Sequence, residues 1–138
     1  GYGWRLHPIY KVRKFHHGLD FSAPAGTEIF ATGGGEVVKV KRLYKGYGRH
    51  VVIRHGFGYE TLYAHMSKSL VKKGDKVKRG QVIGLVGSTG TSTSSHLHYE
   101  VHKDGKKVNP GHYFFNDLTP EEYEAMLAAS ENESQSLD

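Results

Sequence analysis

The sequence contains no cysteine among its 138 residues. Without thiols there can be no disulfide and no thiolate zinc site, so any metal ion must be held by histidine, aspartate or glutamate. No apolar run approaches the roughly 20 residues of a membrane-spanning helix, and we expect no membrane contact from this segment itself. No signal-peptide pattern is visible at the opening GYGWRLHP, so we expect an excised or processed domain.

Acidic side chains are scarce in most of the chain. Residues 1–116 contain all nineteen Lys and Arg but only seven of the fourteen Asp and Glu, a net charge of +12. The other seven acids lie from Asp117 onward, where there is no Lys or Arg. A basic body favours nucleic acid, an anionic envelope surface or an anionic polymer as partner. Because the lysines are scattered and no nucleic-acid motif occurs, we expect no nucleic-acid partner.

Helical periodicity is also lacking up to Phe115. Glycine turns instead separate short segments rich in β-branched residues, several of which alternate apolar and polar side chains. The segments are Gly33–Leu43, Arg49–His55, Tyr59–His65, Gly80–Gly87 and Ser95–His102. We therefore predict an all-β, mainly antiparallel domain over residues 1–116.

The last residues follow a different pattern. Thr119, Pro120 and Glu122 suit an N-cap, a first helical position and a capping-box acid. We predict a short helix over about 120–129, followed by a polar, disordered end. Residues 117–138 thus form a short helix and acidic tail.

Ten histidines are present, and their spacing separates them. In a strand, residues i and i+2 point to the same face, so His96 and His98 of the HLH run should project together, with Glu100 further along that face. Two imidazoles in register are a start for a transition-metal site. Glu100 could support such a site, but a solvated position near the strand end is the favoured interpretation.

The run HHGLD offers two candidate histidines beside one aspartate. Gly18 and Pro24 argue against a helix over residues 16–24, so we assume extended backbone there. His16 then shares a face with Asp20, glycine between them leaves the space clear, and His17 points away. On a helix, His17 and Asp20 would also be neighbours.

His16, Asp20 and one histidine of HLH would make a three-ligand set, the arrangement of catalytic zinc with an open fourth position. The other HLH histidine, His96 or His98, would then lie beside the metal without binding it. His65, at the end of TLYAH, is a candidate companion on a neighbouring strand. Unligated imidazoles could orient a water, accept its proton or stabilise an oxyanion.

At these residues the sequence resembles the M23 family of zinc metallopeptidases, the lysostaphin/LytM-type peptidoglycan endopeptidases. HHGLD matches the family's H-x-G-x-D, LYAH its Y-x-H, and HLHYE its H-x-H-[FY]-E. GWRLHP and VNP also resemble family flanks. The resemblance covers roughly residues 1–115.

The resemblance implies His16, Asp20 and His98 as Zn²⁺ ligands and His65 and His96 as catalytic residues. It implies an antiparallel β fold with a long substrate groove, and hydrolysis of peptide cross-links in peptidoglycan by a metal-activated water. The expected substrate is a peptidoglycan stem peptide, cut by a monomer in the bacterial periplasm or outside the cell, as part of a longer exported or anchored protein. The cleaved bond is either a D-Ala–diaminopimelate cross-link or an oligoglycine bridge.

Two other functions fit parts of the sequence. A noncatalytic peptidoglycan-binding or amidase-activating domain could use the same fold, although the complete histidine set argues against it. The run Val71–Gly87 resembles biotinyl and lipoyl carrier domains. A carrier needs a modifiable lysine at the following turn, and none occurs before Lys103. The loop of residues 88–95 leads directly into His96 and would form either a groove rim or a flexible connection.

Overall fold

The structure is a computed structural model that describes residues 11–15, 17–91 and 94–109. Within these ranges the chain forms strands, turns and loops, and no segment is a helix long and apolar enough to cross a membrane. The strands are β1 Lys11–Phe15, β2 Gly18–Ser22, β3 Glu28–Phe30, β4 Gly35–Arg42, β5 Arg49–Gly56, β6 Tyr59–Ala64, β7 Met66–Ser69, β8 Lys76–Val77, β9 Val82–Val86, β10 His96–Lys103 and β11 Lys106–Val108. The predicted helix over 120–129, the acidic tail and the GWRLHP flank lie outside the described residues.

The strands form two antiparallel sheets. The larger has eight strands in the order β1-β2-β10-β6-β5-β4-β8, with β11 paired to β10. The smaller has the order β3-β9-β7. The expected antiparallel all-β fold is confirmed, and the five segments predicted from alternation and glycine turns match β4, β5, β6, β9 and β10, of which β5 and β10 extend one residue further than predicted.

Tight turns set the register of the two hairpins beside the site. Phe57 and Gly58 join β5 to β6 with φ of 55° and 85°, and Asp104 and Gly105 join β10 to β11 with φ of 51° and 82°. Positive φ at both central residues matches the right-handed twist of the strands they connect. The predicted Asp-Gly turn is therefore confirmed.

The main core is built from the side chains on one face of the large sheet together with those of the small sheet. Tyr63 and Tyr99 are its largest fully buried side chains, and their rings meet edge to face with centroids 5.3 Å apart. Their hydroxyl groups are satisfied inside the core, since Tyr99 and Tyr63 both hydrogen-bond the Thr32 side chain at 2.8 and 3.0 Å. On the opposite face of the large sheet, described side chains form a second, small apolar cluster of Val52, Leu62 and Ala64 with Val38 and Tyr47 beside it.

We predict that Tyr63→Phe destabilises the protein by about 1–3 kcal/mol. The Tyr63 hydroxyl accepts from the Thr32 backbone N–H at 3.1 Å and from the Thr61 hydroxyl at 2.8 Å, so its loss removes an acceptor from buried donors. Urea unfolding of the variant measures the change. Tyr44→Phe is the control, because Tyr44 is 98% exposed; equal stability losses in both variants would contradict the prediction.

Candidate active site

Strand β10 separates core side chains from site side chains by simple alternation. Tyr99 and Val101 face the core and are 1% and 2% exposed. His96, His98 and Glu100 occupy the alternate positions and therefore share the other face. The prediction that the two histidines of HLH project together agrees with this strand.

Strand pairing brings residues from three parts of the sequence into one row. In the antiparallel ladders, His98 lies opposite Asp20 of β2 on one side and Ala64 of β6 on the other. Directly opposed residues point to the same face of a sheet. Gly18 keeps space open beside this row: a Cβ added there would lie 2.8 Å from His98 Cε1. Gly18 thus leaves space for the His98 imidazole. The open space that the sequence predicted lies between His16 and Asp20, and His16 is outside the described residues.

Asp20 is the acid at the centre of the candidate site. Its Oδ1 lies 2.6 Å from His98 Nδ1, and its Oδ2 lies 3.8 Å from His96 Nε2. All three side chains are partly accessible, with exposed fractions between 16% and 21%. A polar molecule or an ion can therefore reach the carboxylate and both rings from solvent.

His65 completes the group from the end of β6. It has a φ of 64°, an uncommon conformation for a residue other than glycine and one that is often found at functional sites. Its N–H donates to the Tyr47 carbonyl at 2.9 Å and its carbonyl accepts from Gly87 N–H at 3.0 Å, which hold the backbone there. The ring centroid of His65 lies 4.7 Å from that of His96 and 6.1 Å from that of His98.

The ring of His65 is fixed by the loop that precedes β10. Its Nδ1 donates to the Thr89 carbonyl at 2.7 Å, so Nε2 is the proton-accepting nitrogen of the neutral ring. The Thr89 hydroxyl in turn donates to the Met66 carbonyl at 2.8 Å. In its described part this loop therefore holds a site residue in place, a role that the sequence left open between groove rim and flexible connection.

Glu100 is buried, and the expectation of a solvated strand end is wrong. The residue is 3% exposed because its side chain lies under the loop that carries Tyr47. Its carboxylate accepts hydrogen bonds from His98 Nε2 at 2.7 Å, His102 Nε2 at 2.8 Å and the Tyr47 hydroxyl at 2.8 Å. Tyr47 and His102 were missed as site residues; the continued i, i+2 spacing could have indicated His102, whereas no local pattern indicates Tyr47.

Charges in this network change the protonation of its members. Burial opposes the charged ring of His98, but hydrogen bonds to Asp20 and Glu100 outweigh it and raise the pKa of His98 to about 9. Burial alone would raise the pKa of Glu100, yet the hydrogen bonds from His102, His98 and Tyr47 hold it well below its usual range. Burial also lowers the pKa of His65, so this ring is neutral at neutral pH.

His17 of the HHGLD run lies at the β1–β2 connection. Strand β1 ends at Phe15 and β2 begins at Gly18, with His17 exposed in the turn between them. The assumption of extended backbone throughout this run is therefore wrong at His17, and parity applies only from Gly18 onward. His16 lies outside the described residues, so its predicted convergence with Asp20 stays a prediction.

The donor set of Asp20 and His98 fits a zinc ion. Glu100 only accepts hydrogen bonds, so His98 Nε2 carries the hydrogen, and the lone pair of a neutral ring lies on Nδ1 facing Asp20. An imidazole nitrogen and a carboxylate oxygen are common zinc ligands. In residues 11–15, 17–91 and 94–109 no three His, Asp or Glu side chains form a complete metal-binding group, and the third predicted ligand, His16, lies outside these ranges.

Comparison with known proteins identifies the family. Residues 14–110 match the family described as Peptidase family M23. The chain belongs to peptidase family M23. It is thus a peptidase domain, as its HxGxD, YxH and HxHYE motifs indicated, and the match includes all five predicted site residues.

Three similar proteins illustrate the relationship. The chain is 51% identical over 105 residues to the peptidoglycan DD-endopeptidase ShyA of Vibrio cholerae, covering 76% of this chain and 24% of that protein. A zinc-containing peptidase from Vibrio cholerae is 42% identical with a TM-score of 0.67, covering 75% and 31%. The catalytic domain of lysostaphin from Staphylococcus simulans is 30% identical with a TM-score of 0.69, covering 83% and 97%. The chain spans about a quarter of the length of the curated relatives it matches.

The charged His98 predicts how the stability of the metal-free domain varies with pH. The pKa of His98 rises from 6.5 to about 9 on folding. The charged ring therefore contributes fully to the free energy of unfolding below pH 6.5, and this contribution is lost as the pH rises through 9. At about 1.4 kcal/mol per pKa unit the loss approaches about 3 kcal/mol. Urea unfolding of chelator-treated protein between pH 6 and 10 measures it, and His98→Asn should remove the dependence. An equal slope in both proteins would contradict this prediction.

Proposed function

We propose that this chain is a zinc-dependent endopeptidase that hydrolyses peptide cross-links in bacterial peptidoglycan. The observation that carries the proposal is the convergence of Asp20, His98, His96 and His65 on one accessible patch of the large sheet. Membership of the M23 family and the similarity to a peptidoglycan DD-endopeptidase support the reaction and the substrate. The similarity to a zinc-containing peptidase supports the metal.

His16, Asp20 and His98 would hold the metal ion. Zinc bound there would polarise the scissile carbonyl and lower the pKa of a bound water to about 7. Asp20 would bind through its carboxylate, which the pairing of β2 with β10 places opposite His98, and His98 would bind through Nδ1, because its Nε2 is hydrogen-bonded to Glu100. The chain thus supplies two of the ligands on adjacent, paired strands.

His65 would act as the general base. The neutral ring keeps its hydrogen on Nδ1, directed at the Thr89 carbonyl, so Nε2 can accept a proton from the attacking water. The fixed backbone of His65 keeps that nitrogen beside His96 and His98. A protonated His65 can then return the proton to the leaving amine.

His96 would stabilise the negative charge that develops on the carbonyl oxygen. Its Nδ1 donates to the Ser94 carbonyl at 3.0 Å, which directs Nε2 toward the side of the site where Asp20 lies. A ring that carries hydrogen on both nitrogens can donate from Nε2 to the oxyanion while Nδ1 keeps its bond to Ser94. Both unligated rings are anchored by Nδ1 to a backbone carbonyl, and they differ in position, since His96 Nε2 lies 3.8 Å from Asp20 Oδ2.

A cleft on the same face offers room for the substrate. It has a volume of about 540 Å³ and extends from Tyr47 and His102 across Leu62 and Val52 toward Arg54. A stem peptide could lie along it and reach the candidate site past Tyr47, whose ring centroid lies 6.1 Å from that of His98. The net basic charge of residues 1–116 suits an anionic wall polymer in the bacterial envelope, periplasmic or extracellular. The name of ShyA favours a D-alanyl cross-link over an oligoglycine bridge.

We predict that purified protein releases muropeptides from isolated sacculi and that complete chelation of metal stops the release. His65→Ala and His96→Ala should each lower the rate at least ~100-fold, because each removes a group that handles a proton or charge in the reaction. Mass spectrometry of the released products identifies the cleaved bond. Zinc content measured on the same samples is the control, since both variants should keep the metal.

Two results would contradict the proposal. Release that persists after complete metal removal excludes zinc dependence. No release by the wild-type protein favours a noncatalytic binding or activating domain, and release by His96→Ala at the wild-type rate overturns the role given to His96.

The register at the β1–β2 turn gives a separate prediction. His16→Ala should abolish zinc binding and activity, whereas His17→Ala should keep the metal, because His17 lies exposed in the turn. Zinc per protein molecule after gel filtration measures both variants. Equal loss of zinc from His16→Ala and His17→Ala would contradict the assignment of His16, rather than His17, as the ligand.

A further inference from the structure

Glu100 is a buried carboxylate at the centre of four hydrogen-bond and ion-pair partners. Oε1 accepts from Tyr47 and His102, each at 2.8 Å, and Oε2 accepts from His98 at 2.7 Å. Lys107 Nζ lies 3.5 Å from Oε2 and supplies a cation from β11. Burying an acid away from water is costly unless such partners compensate, so the arrangement needs a reason beyond packing.

The partners come from separate elements and hold Glu100 on several sides. Tyr47 lies in the β4–β5 loop, His102 is two residues further along β10, and Lys107 is on the paired strand β11. The Tyr47 ring also stacks near His98, with centroids 6.1 Å apart and planes 21° from parallel. The carboxylate and the imidazole it contacts are therefore fixed by the same groups.

Glu100 and its partners determine whether Nδ1, the His98 nitrogen that faces Asp20, carries a lone pair or a hydrogen. A neutral imidazole has one N–H, and Glu100 requires it on Nε2. Nδ1 then presents a lone pair to Asp20 Oδ1, only 2.6 Å away. Two acceptors at that distance need a positive charge at that position, either a proton or a metal ion. Without Glu100, the hydrogen could move to Nδ1 and bond Asp20, which would remove the lone pair.

We propose that Glu100, held by Tyr47, His102 and Lys107, is a positioning residue that sets the tautomer and orientation of His98 for metal binding. This inference rests on the proposed zinc site. Carboxylates that hydrogen-bond a metal-binding histidine typically contribute 10–100-fold to metal affinity. Glu100 itself touches neither the metal nor the substrate in this proposal.

The test compares two variants of the network with two matched controls. Glu100→Gln keeps the size of the side chain but removes its charge, and Tyr47→Phe removes one donor while retaining Glu100. Glu36→Gln and Tyr44→Phe make the same chemical changes at exposed positions. Chelator competition gives the zinc Kd of each protein, and long-range ¹H–¹⁵N NMR of the metal-free protein at pH 10, above the pKa of His98 of about 9, reports which His98 nitrogen carries hydrogen.

We expect zinc binding weakened about 10–100-fold in Glu100→Gln, about fivefold in Tyr47→Phe and unchanged in the controls. The wild type should show hydrogen only on His98 Nε2, and Glu100→Gln should show a mixture. A merely structural role would lower the melting temperature of the metal-free protein without changing the Kd or the tautomer. If Glu100→Gln does not fold, the zinc Kd and the His98 tautomer of Tyr47→Phe test the positioning role instead.

The outcomes separate this inference from the proposed function. A wild-type protein that binds no zinc overturns both. A wild type that binds zinc, with Glu100→Gln within twofold of its Kd and an unchanged His98 tautomer, overturns only the positioning role. If Tyr47→Phe is the deciding variant, a Kd equal to that of Tyr44→Phe overturns it.

Discussion

The pairing of β10 between β2 and β6 is the constraint on which the candidate site depends. It places Asp20, His98 and Ala64 in one row, although 78 residues separate the first two along the chain. A slip of one residue in either ladder would turn every side chain of that strand to the opposite face. The core opposes such a slip, because Tyr99 and Tyr63 would then leave their buried positions.

Burial of alternate β10 residues in the core thus determines which residues of this strand face the candidate site. The core face of β10 is apolar and closely packed, while the site face is almost entirely ionisable. Polar groups on that face remain partly accessible, except for Glu100, which has hydrogen-bond donors around it. The stability of the domain and the geometry of the site therefore come from the same strand, through alternating residues.

Electrostatics gives the site a preference for a cation between Asp20 and His98. Carboxylates lie on both sides of the imidazole, with His98 Nδ1 at 2.6 Å from Asp20 and Nε2 at 2.7 Å from Glu100. In the metal-free protein a second proton on the ring satisfies both. His65 differs because burial lowers its pKa and keeps the ring neutral, although the hydrogen bond to the Thr89 carbonyl favours the charged form. The neighbouring rings of His98 and His65 therefore differ in charge in the metal-free protein.

The sequence by itself determined the features that depend on local alternation and turn chemistry. It predicted the antiparallel strands, the Asp-Gly turn and the shared face of His96 and His98, because side-chain direction in a strand follows from position alone. Only the tertiary structure decided that Glu100 is buried and that Tyr47 lies over it, since burial depends on which distant loop covers a strand. It also placed His17 in a turn, where strand parity does not apply.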